Sequence, residues 1–333
     1  MRLNKNIKIF LNYFLGPLLF IWLSLSIYDQ IRHQPHLAAS WKNILKSVRS
    51  AEGLSILVVI ALMLCNWSLE ALKWKISIQS VQTISFMKAF RAVLSGVSFS
   101  VNTPNRIGEY LGRVLYIDEG HRVQAVALTI VCSMSQLIVT LLTGLAGLFF
   151  LTERIPARET LIDSLLWLRT LQYVVAGVLV ILTLLYFRIS VLTRLFNKLP
   201  AINRYTWVVN SLTTLRATLL IKILSLSAVR YVVFAAQYFI VFRLFDVNIE
   251  WWQSFWAVSV VFLVMAIIPT FAIAELGLRG NVSLKIVGLF SANSLGISIA
   301  TATIWLINLV LPAAAGSLFI LGIKIFKNRD ERT

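Results

Sequence analysis

Long apolar runs alternate along this chain with short basic connections. Residues 9–28, 53–69, 123–152, 170–187, 251–274 and 286–323 contain no Asp, Glu, Lys or Arg. A helix crosses the hydrocarbon of a bilayer with about 20 apolar residues. With their flanks, and with a further apolar stretch around Arg230, the runs predict about six full spans: 9–28, 53–75, 123–151, 165–187, 222–245 and 294–322. The stretch 286–323 is too long for one straight crossing, and Gly288, Asn293 and Gly296 mark where it divides.

Two segments, 86–117 and 252–290, break this pattern. Each holds a moderately apolar helix, then a proline, then charge. The first reads Asn102-Thr103-Pro104-Asn105-Arg106-Ile107-Gly108-Glu109-Tyr110-Leu111-Gly112-Arg113. Proline ends a helix, and Asn and Gly suit the turn that follows. Both segments therefore predict helical hairpins. Between spans, 28–52 sets Leu37, Trp41, Ile44, Leu45 and Val48 against Lys42, Lys46 and Arg49 at helical spacing, and 188–220 is basic without a single acid. Both are expected to lie in the interface. Arg2, Lys5 and Lys8 precede a 20-residue run with no small-residue cleavage site, the pattern of a retained anchor.

Composition agrees with this picture. The 333 residues are 58% hydrophobic and 14% charged, against about 25% charged in a soluble domain. The expected fold is an all-α polytopic membrane protein, one transmembrane domain over 1–333. The formal charge of +17 sits mainly in the connections, which points to anionic lipid headgroups and excludes nucleic acid as a partner. Cys65 and Cys132 lie inside apolar runs and His33, His36 and His121 outside the spans, so no disulfide framework, metal site or cofactor is expected.

The two broken segments resemble each other. Phe90 with Ala92-Val93 corresponds to Phe255 with Ala257-Val258, and a proline follows each Phe by fourteen residues, Pro104 and Pro269. Glu109 and Arg113 answer to Glu275 and Arg279, each pair four apart. In the next span Gln136 precedes Gly144 by eight residues, and Asn308 precedes Gly316 by eight. The chain thus divides into a repeat at about 53–151, a connecting span at about 163–187 and a second repeat at about 220–323. If both hairpins enter and leave on one side, the basic 188–222 stretch and both termini fall on the cytoplasmic side, as the positive-inside rule asks; the basic 37–50 helix is the exception. The repeats are then inverted, the common plan of transporters with a polar chamber at the midplane.

Charges at that depth each cost about 2.5–3.5 kcal/mol on insertion scales, so they must be paired, hydrated or bound to substrate. Glu109–Arg113 and Glu275–Arg279 share helix faces and read either as self-neutralising pairs or as a binding chamber. Arginine makes bidentate bonds to phosphate. The candidate substrate-binding residues are Arg106, Glu109, Arg113, Arg230, Glu275, Arg279, Gln136 and Asn308, with Pro104, Gly108, Gly112 and Pro269 as structural breaks. Gly108 and Gly112 have the small-xxx-small spacing of close helix packing. Glu70 and Lys73 read as a surface pair near the cytoplasmic end of the second span.

At Pro104, Gly108-Glu109 and Arg113 the chain resembles the lysylphosphatidylglycerol synthase transmembrane-region family, whose first-half signature is Pro…Gly-Glu…Arg. The later half, Pro269-Thr270-Phe271-Ala272-Ile273-Ala274-Glu275, lacks the glycines that family carries after its second proline. The resemblance covers about 8–325. It implies a flippase-like module, which some members join to an aminoacyl-transferase domain; no such domain follows here up to Thr333.

The leading expectation is a flippase-like transporter in the cytoplasmic membrane, moving a phosphate-headgroup lipid or a polyprenyl-phosphate carrier and not itself an enzyme. One alternative is an intramembrane transferase with Glu109 as general base. Against it stands the lack of any nucleophile elbow, metal cluster or clustered histidines. The other is a non-catalytic subunit docking a cytosolic enzyme through 188–222. A homodimer also stays open.

Overall fold

The computed structural model describes residues 53–101, 103, 106–152, 162–188, 215–268 and 272–321, together with 21, 22 and 25. The first span beyond those three residues, both interfacial segments apart from their edges, Pro104, Pro269 and both termini lie outside the described residues. Every regular element among them is helical: α1 Gly53–Ile78, α2 Phe86–Val101, α3 Gly108–Val114, a 3₁₀ turn Glu119–His121, α4 Arg122–Thr152, α5 Ile162–Phe187, α6 Ala217–Leu244, α7 Trp251–Ile267, α8 Ala272–Val287, α9 Ser294–Trp305, a π segment Leu306–Val310 and α10 Leu311–Leu321.

Five stretches are long and apolar enough to cross a membrane: Gly53–Ile78, Glu119–Thr152, Leu168–Phe187, Ala217–Leu244 and Ser294–Leu321. They coincide with five of the six expected spans, and the protein is an all-α polytopic membrane protein. The long 286–323 stretch divides where glycine and asparagine suggested. Helix α8 ends at Val287, and Asn293 caps α9 by accepting from the Gly296 amide at 2.9 Å. The last span differs from a straight helix, because Pro312 cannot donate to the carbonyl four residues back, Asn308, and the chain relaxes into the π segment around that residue.

The proline-broken segments are shorter than a crossing. Helices α2 and α8 have 16 residues each, about 24 Å at 1.5 Å per residue, and α3 has 7. Helices α2 and α3 form a tight antiparallel hairpin. Gly112 lies against the backbone of Ser95 and Gly96, and Gly108 against that of Phe99 and Ser100, so close that a Cβ at either glycine would collide with main chain. The turn is tied by the Gly108 amide donating to the Thr103 hydroxyl at 2.7 Å, and Arg106 within it is left-handed, φ 59°.

The helices that follow the two hairpins pack reciprocally. Gly144 and Gly147 of α4 meet Leu263, Val260 and Ser259 of α7, the first arm of the second hairpin. Gly316 of α10 meets Leu94 and Ser98 of α2, the first arm of the first hairpin, and the Ser98 hydroxyl donates to the Ala313 carbonyl. Each half therefore closes on the other through a seam of small residues.

Candidate functional site

Helix α1 carries Asn66, Glu70, Lys73 and Ser77 at spacings of four, three and four, which places them on one face. All four are buried. Glu70 is 5% exposed and Lys73 1%, so the surface pair expected for them is corrected: they are paired at 2.7 Å, but inside the bundle. The helix turns this stripe toward α4 and α6 because lipid cannot hydrogen-bond it.

Glu70 binds cations from three helices. Its Oε1 accepts from Arg113 Nη2 of α3 at 2.9 Å, and its Oε2 accepts from Lys73 Nζ and from Arg230 Nη1 of α6. Lys73 also donates to the Ser227 hydroxyl at 3.2 Å and the Cys132 carbonyl at 3.4 Å, which satisfies an ammonium with three acceptors. Arg113 Nη2 reaches Glu109 Oε2 as well, at 3.2 Å.

Arg230 is held like a fork. Its Nε donates to the Asn66 side chain at 2.9 Å, and its Nη1 is shared between Glu70 and Gln136 Oε1, the latter at 3.2 Å. The guanidinium lies 5.8 Å from the Trp67 ring centroid. In the second half, Arg279 Nη2 pairs with Glu275, its Nη1 donates to Tyr238 Oη at 3.2 Å, and its buried Nε has no partner among the described residues.

Part of this network opens on a cavity of about 380 Å³. Arg106 from the first hairpin's turn, Arg230, Gln136 and Asn66 line one part, and Glu275 and Arg279 of α8 another. Phe234, Phe262, Met265 and Ile268 supply an apolar wall. The volume falls within the usual range for ligand sites, about 300–1,000 Å³. Five of the eight residues singled out from the sequence, Arg106, Gln136, Arg230, Glu275 and Arg279, share it. Glu109 and Arg113 do not line it, and Arg113 is only 2% exposed, because Glu70 draws the guanidinium inward. Asn308 stands apart from the cavity in the π segment, its amide nitrogen donating to the Ile304 carbonyl at 3.2 Å.

Sequence reasoning missed Asn66 and Tyr238, and misplaced Glu70. The periodic polar stripe on α1 was the available signal. Among the described residues no group of three His, Cys, Asp or Glu could hold a metal.

A family model described as the lysylphosphatidylglycerol synthase TM region matches residues 14–316. Neither a curated protein nor a solved structure matches the chain. The chain belongs to the lysylphosphatidylglycerol synthase transmembrane-region family, and it is a multi-pass membrane protein involved in lipid handling.

Proposed function

We propose that the protein is a flippase-like lipid transporter of the cytoplasmic membrane, with both termini cytoplasmic. The two halves act as inverted repeats whose hairpins enter from opposite faces. A phosphate headgroup, on a phospholipid or a polyprenyl carrier, enters the cavity while its tails stay in lipid. Arg106, Arg230 and Arg279 hold the phosphate; Glu70 and Glu275 orient two of those arginines and limit the charge they bury. Lipid headgroups are the partners in this reading.

One observation carries it: the turn of the first hairpin, through Arg106, and the end of the second hairpin's first arm, through Ile268, line the same charged cavity. The hairpin arms have 16, 7, 17 and 16 residues, against about 20 for a full crossing, so a polar pocket at their meeting point would lie within the bilayer.

The test is movement of fluorescent lipids of several headgroups in liposomes holding the purified protein. Faster movement than in empty liposomes is expected, abolished by Arg230→Gln. Rates equal to those of empty liposomes for every headgroup would refute it.

A further inference from the structure

The cavity and the groups behind it form one linked electrostatic network. Five cations, Lys73, Arg106, Arg113, Arg230 and Arg279, face three carboxylates, Glu70, Glu109 and Glu275. Two positive charges are left over in this network of described residues. Glu70 is shared by Lys73, Arg113 and Arg230, and Glu109 by Arg106 and Arg113. Three of the five cations, Arg106, Arg230 and Arg279, line the cavity, and the single carboxylate that lines it with them is Glu275, itself bonded to Arg279, so the excess is presented to the cavity.

We propose that this cavity selects a phosphomonoester lipid headgroup, a dianion, over phosphodiester and zwitterionic headgroups. The proposal rests on the transport reading for its location and narrows its substrate class. A phosphomonoester carries about −1.5 to −2 at neutral pH and offers three terminal oxygens. Three arginines with spare donor capacity match that count. Among the described residues Arg106 is held only by Glu109 at 3.7 Å, the described bonds of Arg230 use Nε and Nη1, and Arg279 Nε is buried without a described partner. A diester brings one charge and two terminal oxygens, leaving one positive charge uncompensated. An ammonium-bearing headgroup would place its cation beside the arginines, with the one lining carboxylate already occupied. The apolar wall of Phe234, Phe262, Met265 and Ile268 beside these arginines favours a phosphate that carries a chain over free phosphate.

The experiment is calorimetric binding to the purified full chain in detergent. The probes are dioctanoyl phosphatidate, dioctanoyl phosphatidylglycerol, dioctanoyl phosphatidylethanolamine and inorganic phosphate. Phosphatidate should bind at least about tenfold tighter than either diester at pH 7.5, the preference shrinking at pH 5.5 as the second proton is taken up. Arg106→Asn, which suits the left-handed backbone there and should not disturb folding, should reduce the ratio severalfold. Equal or tighter binding of either diester would overturn the proposal. Inorganic phosphate binding as tightly as phosphatidate would overturn the lipid assignment. Transport is scored separately: a diester that binds best and is moved sinks the selectivity alone. A monoester preference in a protein that moves no lipid sinks the transport reading and leaves the selectivity standing.

Discussion

Glu70 Oε1 accepts from Arg113 Nη2 at 2.9 Å, joining α1 to the short arm of a hairpin 43 residues further on. The other oxygen of the same carboxylate binds Lys73 and Arg230. Removing that one negative charge leaves three cations facing one another in a low-dielectric interior. Glu70→Gln should therefore destabilise the protein by about 3–5 kcal/mol, the usual cost of orphaning a buried ion pair. Unfolding from detergent micelles by a harsher surfactant measures it. Glu70→Gln with Arg113→Gln should cost less than the sum of the two single changes. Simple additivity would mean that the contact carries no coupling.

The α2–α3 hairpin depends on the absence of side chains at its seam. Gly112→Leu must push apart two backbones that already touch, with an expected loss of about 1–3 kcal/mol or more from overpacking. Gly120, which has nothing within 4 Å of a built Cβ, is the control, and Gly120→Ala should leave the melting temperature unchanged. Equal melting temperatures for wild type and Gly112→Leu would contradict the packing described.

Arg230→Lys preserves charge but not shape. One ammonium cannot reach Asn66, Glu70 and Gln136 in the directions the guanidinium does. The variant should fold, with a smaller stability loss than Arg230→Ala, yet move lipid at least about tenfold more slowly. A transport rate within twofold of wild type would show that the fork geometry is dispensable.

The hairpin depth is open to thiol labelling. Arg106 has a side chain 47% exposed and lines the cavity, so with the hairpin at the proposed depth Arg106→Cys should react with small permeant reagents and resist bulky impermeant ones from both faces. Cysteine at Glu119, in the exposed turn before α4, should react with impermeant reagent from one face. Ready labelling of position 106 by a bulky reagent would make it an ordinary loop tip. Lipid movement by Arg106→Cys should fall on reaction with a small negatively charged thiol reagent.

The spans were legible because lipid imposes one coarse rule, a long charge-free run, and five of the six coincide with helices here. The hairpin arginines were legible for the converse reason, since charge beside proline has few explanations in an apolar chain. What could not be read was which of several burial-compatible partners each charge takes. Glu70 lies four positions after Asn66 and three before Lys73, a periodicity that shows a polar face but not its direction. Its closeness to the cytoplasmic end of the span favoured water, and tertiary contacts with α3 and α6 turned it inward. Arg113 and Arg279 looked equivalent, each four residues after a glutamate beyond a proline; a glutamate on α1 holds Arg113 back, where α6 offers Arg279 the Tyr238 hydroxyl. Asn308 owes its position to Pro312, four residues later, whose effect on helix register is local and silent in the hydropathy pattern.

The crossed glycine seams bear on how the chain is made. Ser98 and the Leu94 carbonyl on α2 find their cover only when Ala313 and Gly316 have been synthesised, more than two hundred residues later. Until then a nascent first half would sit in the membrane with that groove open, a natural handle for an insertase or chaperone and a target for quality-control proteases.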